Sequence, residues 1–456
     1  MLINKIDNVE VNLDNGHKYA VRDISSGEDI IKYATPIGHA LTDIKKGELV
    51  HTHNMKTNLS GKVEYSYRPF EKKTQVLTEC PTFMGYVRAN GDVGIRNDVF
   101  IVNTVGCVNK IAERLSELTG AVSFSHPFGC SQLGDDMKIT QLILRGVVNH
   151  PNAAGVLVLG LGCENNNICA FKKILGEYDE KRVRFLNCQD VDDEISEGVK
   201  IIEELQNYAS GFTRQPVPVS RLRIGLKCGG SDGYSGISAN ALVGRFSDKL
   251  VSFGGSCVLT EIPEMFGAEH LLMARAENEQ IFGKIVDLIN GFKDYYERHG
   301  QVIYENPSPG NKDGGITTLE EKSLGCVQKA GSSAVVDVLD YGDTVKKNGL
   351  SLLIGPGNDL VAMTNLFAAG VHLILFTTGR GTPVGSGVPT VKISSNKALA
   401  TKKSDWIDFD SSPELSGIDL CDELFSYVLC VANGEQTHNE KHGYKEISIF
   451  KDGVVL

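Results

Sequence analysis

The chain is poor in the features that would assign it quickly. It has no CxxC pair, although it carries 11 cysteines among 456 residues. An odd number of scattered thiols argues for free cysteines in a reducing compartment rather than a disulfide framework. Its start, MLINKIDNVEVNLDNG, lacks the apolar stretch of a secretory leader. No apolar run reaches the roughly 18 residues of a membrane-spanning helix. A cytoplasmic location and no membrane partner are therefore expected. Positive charge is also short. The net charge of −11 speaks against a nucleic-acid partner, which would favour a basic face. A small anionic ligand remains open, because a few local cations outweigh the global field at close range. Neither a Walker loop nor a GxGxxG fingerprint is present, so no dinucleotide is implied. Solenoid periods and low-complexity tracts are missing too.

What is present is long enough for two or three cores. Residues 1–72 carry short alternating apolar stretches punctuated by Gly16, Gly27, Gly38 and Gly47, and read as a small β module. A polar stretch beginning near Asn58 leads through a linker at 73–84. From 85 to 215 the pattern becomes strand–helix: VFIVNTVGC then NKIAERLSEL, AVSFSHPFGC then MKITQLILRGVV, GVLVLGLGC then NICAFKKIL, VRFLNCQD then EISEGVKIIEELQNYA. Continuous apolar strands alternating with amphipathic helices imply a parallel sheet covered on both faces. GFTRQPVPVSR marks a boundary. Residues 216–456 again read as α/β, with LRIGLKC, SCVLTEI, LSLLIG, VHLILFTT and VPTVKIS as strands.

Ligands of open parallel sheets bind beyond the carboxyl ends of the strands. Here those ends read Gly106-Cys107, Gly129-Cys130, Gly162-Cys163 and Cys228-Gly229. A cysteine so placed ligates a metal, bonds a substrate or simply packs. The glycine-rich stretches Gly229–Asn240 and Thr377–Gly387 offer N–H groups to an anion, or are capped turns. Arg380 in the second suits a bidentate carboxylate clamp, or is an ordinary loop arginine. His51 and His53 in VHTHN would share a face if that segment were a strand, and two such imidazoles bind one ion or are solvated. His126 has the side chain for acid–base work near neutrality, or bonds the backbone. Glu261, Glu264 and His270 lie together in TEIPEMFGAEH. Lys227 is a base if burial lowers its pKa.

These stretches carry a resemblance. GDVGIRNDVFIVNTVGC, SHPFGCSQLGDD, GLGCENN, LKCGGSDGYSGISANALVGR, TEIPEMFGAEH, ENPSPGNKDGGITTLEEKSLG and ILFTTGRGTPVGS run in order from Gly91 to Gly385. They resemble the signature stretches of the altronate/galactarate dehydratase family. GHKYAVRDI and ATPIGHALTDIKKGELVHTHN resemble the SAF (β-clip) domain fused to it. The implied fold is α/β: a SAF-like β module followed by two α/β segments with mainly parallel sheets.

The resemblance further implies a hydro-lyase that takes water from an altronate-like hexonate or galactarate-like hexarate and yields a 2-keto-3-deoxy acid. It also implies a divalent metal, iron(II) above manganese(II), held by His51 and His53, with Cys107, Cys130 and Cys163 as alternative ligands. Arg96, Asn97, Ser231, Asp232 and Arg380 are the candidate substrate contacts. His126, Glu261 and Lys227 are the candidate acid–base groups. The expected partner is a small sugar acid, in a chain that is a candidate homo-oligomer. A sulfolactate sulfo-lyase-like β-elimination and a non-catalytic sugar-acid sensor are the competing readings.

Overall fold

A computed structural model describes residues 1–59, 64–70, 80–304 and 306–454. The N-terminal module consists of β1 (Val9–Val11), β2 (Lys18–Ala20), β3 (Asp29–Lys32), β4 (Thr35–Ala40), β5 (Leu49–Val50) and β6 (Met55–Lys56). They form two three-stranded antiparallel sheets, β1-β2-β5 and β3-β4-β6. Strands this short bury only alternate side chains, and Val9, Ile30, Ile37 and Val50 supply the interior. His51 and His53 do not lie on a strand. They occupy the turn between β5 and β6, where Asn54 Oδ1 accepts the His51 N–H at 2.9 Å. The shared strand face expected for HxH is therefore absent.

The linker expected at 73–84 falls partly outside the described residues. Its last residues belong to β7 (Thr82–Val87), which pairs antiparallel with β8 (Val93–Gly94) and with β13 (Gln215–Pro218). The proline-bearing boundary thus becomes an edge strand, the sheet position that tolerates proline.

The second segment forms a four-stranded parallel sheet in the order β10-β9-β11-β12: β9 Asp98–Asn103, β10 Val122–Phe124, β11 Ala153–Gly160 and β12 Val183–Asn187. Helices α1 (Asn109–Thr119), α2 (Gly134–Val148), α3 (Ile168–Leu175) and α4 (Glu194–Ser210) follow the strands in turn. Every residue of β11 is buried, as an inner strand covered on both faces requires. Asp193 caps α4 through the N–H groups of Ile195 and Ser196.

The third segment forms a seven-stranded parallel sheet in the order β16-β17-β15-β14-β18-β19-β20. Its strands are β14 Arg223–Cys228, β15 Ser256–Leu259, β16 Val335–Leu339, β17 Gly349–Leu353, β18 Leu373–Thr378, β19 Thr390–Ser394 and β20 Phe409–Asp410. Its helices include α5 (Ala239–Ser252), α6 (Glu269–Met273), α7 (Glu279–Arg298), α8 (Pro309–Asp313), α9 (Leu319–Cys326) and α10 (Asp359–Ala368). No helix among the described residues is long and apolar enough to cross a membrane.

Two packing choices position the site. Helix α9 is buried on every side, Glu320, Glu321 and Lys322 included. One hydrophobic core runs from Ile24, Ile37 and Val50 of the N-terminal module to Leu226, Leu324 and Leu352 of the third segment, so the module is seated on the large sheet's domain. Elsewhere α2 meets α10 at Gly146, where a Cβ would stand 2.3 Å from the Ala368 carbonyl oxygen. Gly146→Ala should therefore lower stability by about 1–3 kcal/mol through overpacking, read as a fall in melting temperature. Gly283→Ala, in α7 with nothing within 4 Å of the new methyl, should raise it slightly.

Candidate active site

β14 lies at the switch point of the large sheet: its successor in sequence, β15, pairs on one side and β18 on the other. A crevice opens at such a point. In register across β14, β18 and β19 stand Lys227, Phe376 and Lys392. Both ammonium groups lie over the same ring, Lys227 Nζ 5.5 Å and Lys392 Nζ 3.9 Å from the Phe376 centroid. Their electrostatics diverge. Burial pushes Lys392 down to about 7, against the pull of Asp359 and Asp408; its Nζ donates to the Thr382 carbonyl at 3.1 Å. Burial acts on Lys227 in the same sense, but Glu261, Asp359 and Glu264 outweigh it and raise its pKa. Lys227 donates to Asp359 at 2.7 Å and to Glu261. Its neighbours thus favour the ammonium form, opposite to the lowered pKa that a base at Lys227 would need; Lys392 is the strand lysine whose pKa is lowered.

Glu261 follows β15 with φ at +71°, a left-handed conformation that is strained for a non-glycine residue. The turn brings its carboxyl to the Cys228 N–H at 3.0 Å. Burial and the neighbouring Glu264 charge hold its pKa well above the carboxylate range, against Lys227. Glu264 behaves oppositely. Burial would raise it, but Lys322, Lys227 and Lys329 bring it to about 2. Lys322 Nζ lies 2.7 Å from Glu264, and Lys329 Nζ lies 2.8 Å from Cys228 Sγ. Cys228, Glu264 and Cys326 place one donor atom each within 4.8 Å of one another, which is metal-ligand spacing. Three buried ammonium groups interleave them, however, and repel a dication at short range. This cluster does not fit a metal.

The N-terminal module closes the other side. Lys18 of β2 and Lys32 of β3 each reach Glu321 of α9 at 2.8 Å, and all three side chains are buried. Burial brings Lys18 down to about 8 in spite of Glu321. The two lysines overcome burial at Glu321 and hold its carboxyl far below the usual range. The module also presses backbone on backbone: a Cβ at Gly233 would stand 1.8 Å from the Gly16 carbonyl oxygen, so glycine is required there. Beside that contact His17 and His51 face each other with ring centroids 5.6 Å apart. His51 Nε2 donates to the Lys312 carbonyl at 3.0 Å. His17 Nδ1 is buried without a hydrogen-bond partner among the described residues. The orphaned His17 nitrogen suits a cation, since neutral imidazole is a common metal donor; His51 would join it by giving up the 3.1 Å contact of its Nδ1 with Thr52 Oγ1. His53 is exposed in the same turn.

The two glycine-rich loops converge. The Gly379 and Arg380 N–H groups both donate to the Gly230 carbonyl, at 2.8 and 3.1 Å. Asp232 binds the loops together by accepting from Ser235, Ser395 and Asn396 at 2.8–2.9 Å. Burial raises its pKa. Its oxygens are thus committed to the protein. Ser231 is buried, and its carbonyl accepts from Asn311 at 2.9 Å. Arg380 is exposed, and its guanidinium has no hydrogen bond or ion pair among the described residues. Between module and loops a void of about 10 Å³ remains, bordered by Lys32, Ser231, Asp232 and Lys322. A groove of about 460 Å³ along α7 and Phe450 contains none of these groups.

Several expected site residues lie elsewhere. His126 is buried behind β10, on the four-stranded sheet. Its Nε2 donates to the Asn103 carbonyl at 2.9 Å and its Nδ1 accepts the Phe128 N–H at 3.2 Å. Both ring nitrogens are used, so it braces a loop. Arg96 spends its guanidinium on Glu440 and on the carbonyls of Ile95, Val431 and Glu435. Asn97 joins Arg88 to the Ala209 carbonyl. Neither is free for a substrate. Cys107, Cys130 and Cys163 are exposed at the rim of the four-stranded sheet and do not join the converging loops. Conversely, His17, Lys322, Lys329, Asp359 and Lys392 were missed. His17 in GHKYAVRDI and Lys322 in TTLEEKSLG lay inside recognised motifs; a lysine within an apolar strand such as VPTVKIS was the overlooked signal for Lys392.

Comparison with known proteins covers nearly the whole chain. Residues 3–58 match the model of the altronate/galactarate dehydratase SAF domain. Residues 85–210 match that of the D-galactarate dehydratase/altronate hydrolase second domain, and residues 219–455 that of the D-galactarate/altronate dehydratase C-terminal domain. An altronate dehydratase of Bacillus subtilis is 52% identical, covering 98% of this chain and 93% of that one. An altronate dehydratase of Escherichia coli is 51% identical, covering 99% and 95%. The galactarate dehydratase (L-threo-forming) of Escherichia coli is 31% identical, covering 97% and 91%.

The docking triad yields a direct test. Glu321→Gln leaves Lys18 and Lys32 buried without their counter-charge. It should cost about 3–5 kcal/mol, measured as a loss of thermal stability. Because the folded-state pKa of Glu321 is depressed, its contribution is fully present above the unfolded value of roughly 4.3 and is lost only as pH falls well below it.

Proposed function

This chain belongs to the D-galactarate/altronate dehydratase family, and from that premise we propose that it dehydrates an altronate-like hexonate to a 2-keto-3-deoxy acid. The observation that carries this reading is the 52% identity to an altronate dehydratase over almost the full length of both chains. The lower identity to a galactarate dehydratase, 31%, makes a hexarate the second candidate.

The reaction removes the proton at C2 and the hydroxyl at C3; the resulting enol then tautomerises to the 2-keto acid. Arg380, free and exposed beside the converged loops, grips the substrate carboxylate in a bidentate fork. Lys392, poised near neutrality, takes the C2 proton as a neutral amine. Glu261, kept protonated by its surroundings, donates to the departing C3 hydroxyl, which leaves as water. Lys227 stays charged beside Glu261 and stabilises the carboxylate that this donation leaves behind. His17 and His51 are the residues that would hold a divalent ion, iron(II) or manganese(II), in place of the His51–His53 pair. Such an ion would supply Lewis-acid charge for the enediolate.

Purified enzyme offered hexonates and hexarates, with iron(II), with manganese(II) and after chelation, should release a 2-keto acid from a hexonate in a metal-dependent way. Undiminished turnover after exhaustive metal removal would contradict the ion's role. Sulfite release from sulfolactate, with no keto acid from any sugar acid, would reassign the chemistry to a sulfo-lyase. Arg380→Lys keeps the charge but loses the fork, and should lower kcat/KM on the order of 10²-fold. Lys392→Met should cost about 10²–10⁴-fold. In the wild type the rate should fall as pH drops through about 7, where Lys392 gains its proton. A pH profile flat from 6 to 8 would remove Lys392 from the role of base.

A further inference from the structure

We propose that Cys107, Cys130 and Cys163 together bind an iron–sulfur cluster at the carboxyl rim of the four-stranded sheet. The site is separate from the constellation on the large sheet and does not depend on the reaction proposed for it.

The first argument is register. β9 pairs in parallel with both β10 and β11, so Val102, Phe124 and Val158 stand side by side. Cys107, Cys130 and Cys163 follow that level by five, six and five residues respectively. Three adjacent strands therefore each carry a cysteine at nearly the same offset in the segment that leaves their carboxyl ends.

The second argument is how the loops are gathered. Adjacent strands lie about 4.8 Å apart, and β10 and β11 are separated by β9. The loop after β11 nonetheless bonds the loop after β10 across it. The Asn166 N–H donates to the Gly129 carbonyl at 2.9 Å, and Asn165 Oδ1 accepts the Ser131 N–H at 2.9 Å. The central loop is tied to both neighbours. The Gly106 N–H donates to the Phe128 carbonyl at 2.9 Å. The Thr104 hydroxyl donates to Glu164 at 2.6 Å, and Asn166 Nδ2 donates to the Thr104 carbonyl at 3.0 Å. The glycine before each cysteine sits where the packing is closest. A Cβ at Gly129 would stand 2.0 Å from the Thr104 carbonyl oxygen, one at Gly106 2.7 Å from the His126 carbonyl oxygen, and one at Gly162 2.7 Å from Gln189 Oε1. A side chain has room only at the next residue, and there the cysteine is exposed in all three loops. Cysteine is ordinarily among the most buried residues, so three exposed thiols on one rim call for a ligand.

The spacing selects its kind. A single tetrahedral ion with bonds of about 2.3 Å holds its thiolates roughly 3.8 Å apart. These three sulfurs do not all lie within 4.8 Å of one another, because among the described residues Cys228, Glu264 and Cys326 alone meet that condition as a group. A cubane cluster, whose irons are bridged by sulfide, spreads its cysteine ligands more widely and needs thiolates. With three cysteines, one iron is left without a protein thiolate on the solvent side. Each thiol gives up its proton on binding, so cluster uptake releases protons.

The test is anaerobic reconstitution of the full chain with sulfide and equal amounts of ferrous and ferric iron, which together balance the oxidised four-iron, four-sulfide core. It is read by iron and acid-labile sulfide content, by visible charge-transfer absorption and by electron paramagnetic resonance after reduction. About four irons and four sulfides per chain are expected, with loss of at least most of the cluster in each of Cys107→Ser, Cys130→Ser and Cys163→Ser. Cys430→Ser, altering an exposed cysteine of a different segment, should retain it. Circular dichroism of each variant separates cluster loss from misfolding. Wild-type protein that takes up no labile sulfide would overturn the proposal. So would folded single variants that keep the full cluster, or tight binding of one zinc ion by the same three residues.

Discussion

Glu321 lies in the dry interior with an ammonium group on either side, and both ammonium groups come from a different part of the chain. Separating the N-terminal module from the large sheet's domain would strand one buried charge against two. Truncating one member of a buried ion pair is costly because the partner's desolvation is left uncompensated. The triad thus specifies a single docking register. The backbone approaches at Gly16, Gly233 and Gly315 follow from that register, as does the placing of His17 and His51 beside the glycine-rich loop. Thr57 and Asn58 add hydrogen bonds to Glu320, the neighbouring residue on the same helix.

The same principle organises the strand ends. Lys227, Glu261, Asp359, Glu264, Lys322 and Lys329 are nearly balanced in charge, yet their protonation is not uniform. Burial acts on Lys227, Glu261, Glu264, Lys322 and Lys329, and the local count of opposite charges decides the direction for each. Glu264, beside three lysines, has its pKa lowered, while burial and the Glu264 charge raise that of Glu261. Lys392 stands two strands away from Lys227, beyond β18, with weaker acidic company, and its pKa falls to about 7. Divergent pKa values among packed groups are what acid–base chemistry requires. The strained backbone at Glu261 is consistent with a position held for chemistry and not for stability.

The two parallel sheets divide the molecule. The larger gathers charged groups and the N-terminal module at its carboxyl edge; the smaller gathers thiols at its own. In each case glycine permits the loops to touch, and side chains such as Asp232 or Glu164 hold them there.

The sequence by itself determined the secondary structure of both α/β segments, because apolar runs alternating with amphipathic helices admit few other readings. It also marked the glycine-rich loops, Arg380 and Glu261, since special backbone chemistry and strand-end position show in the order of residues. Tertiary structure alone decided which charged residues are buried. LEEKSLG looks like a solvated helix, and only its enclosure makes Glu321 and Lys322 structural. His51 found its partner in His17, 34 residues earlier, because a turn replaced the strand that HxH suggested. His126, Arg96 and Asn97 carry the side chains of a catalytic site, but their hydrogen-bonding capacity is taken up by backbone carbonyls and by Glu440 and Arg88. Lys227 and Lys392 are both lysines on apolar strands, and nothing local distinguishes them. Their difference in proton affinity arises from carboxylates that lie far away in the chain and are brought close only by the fold.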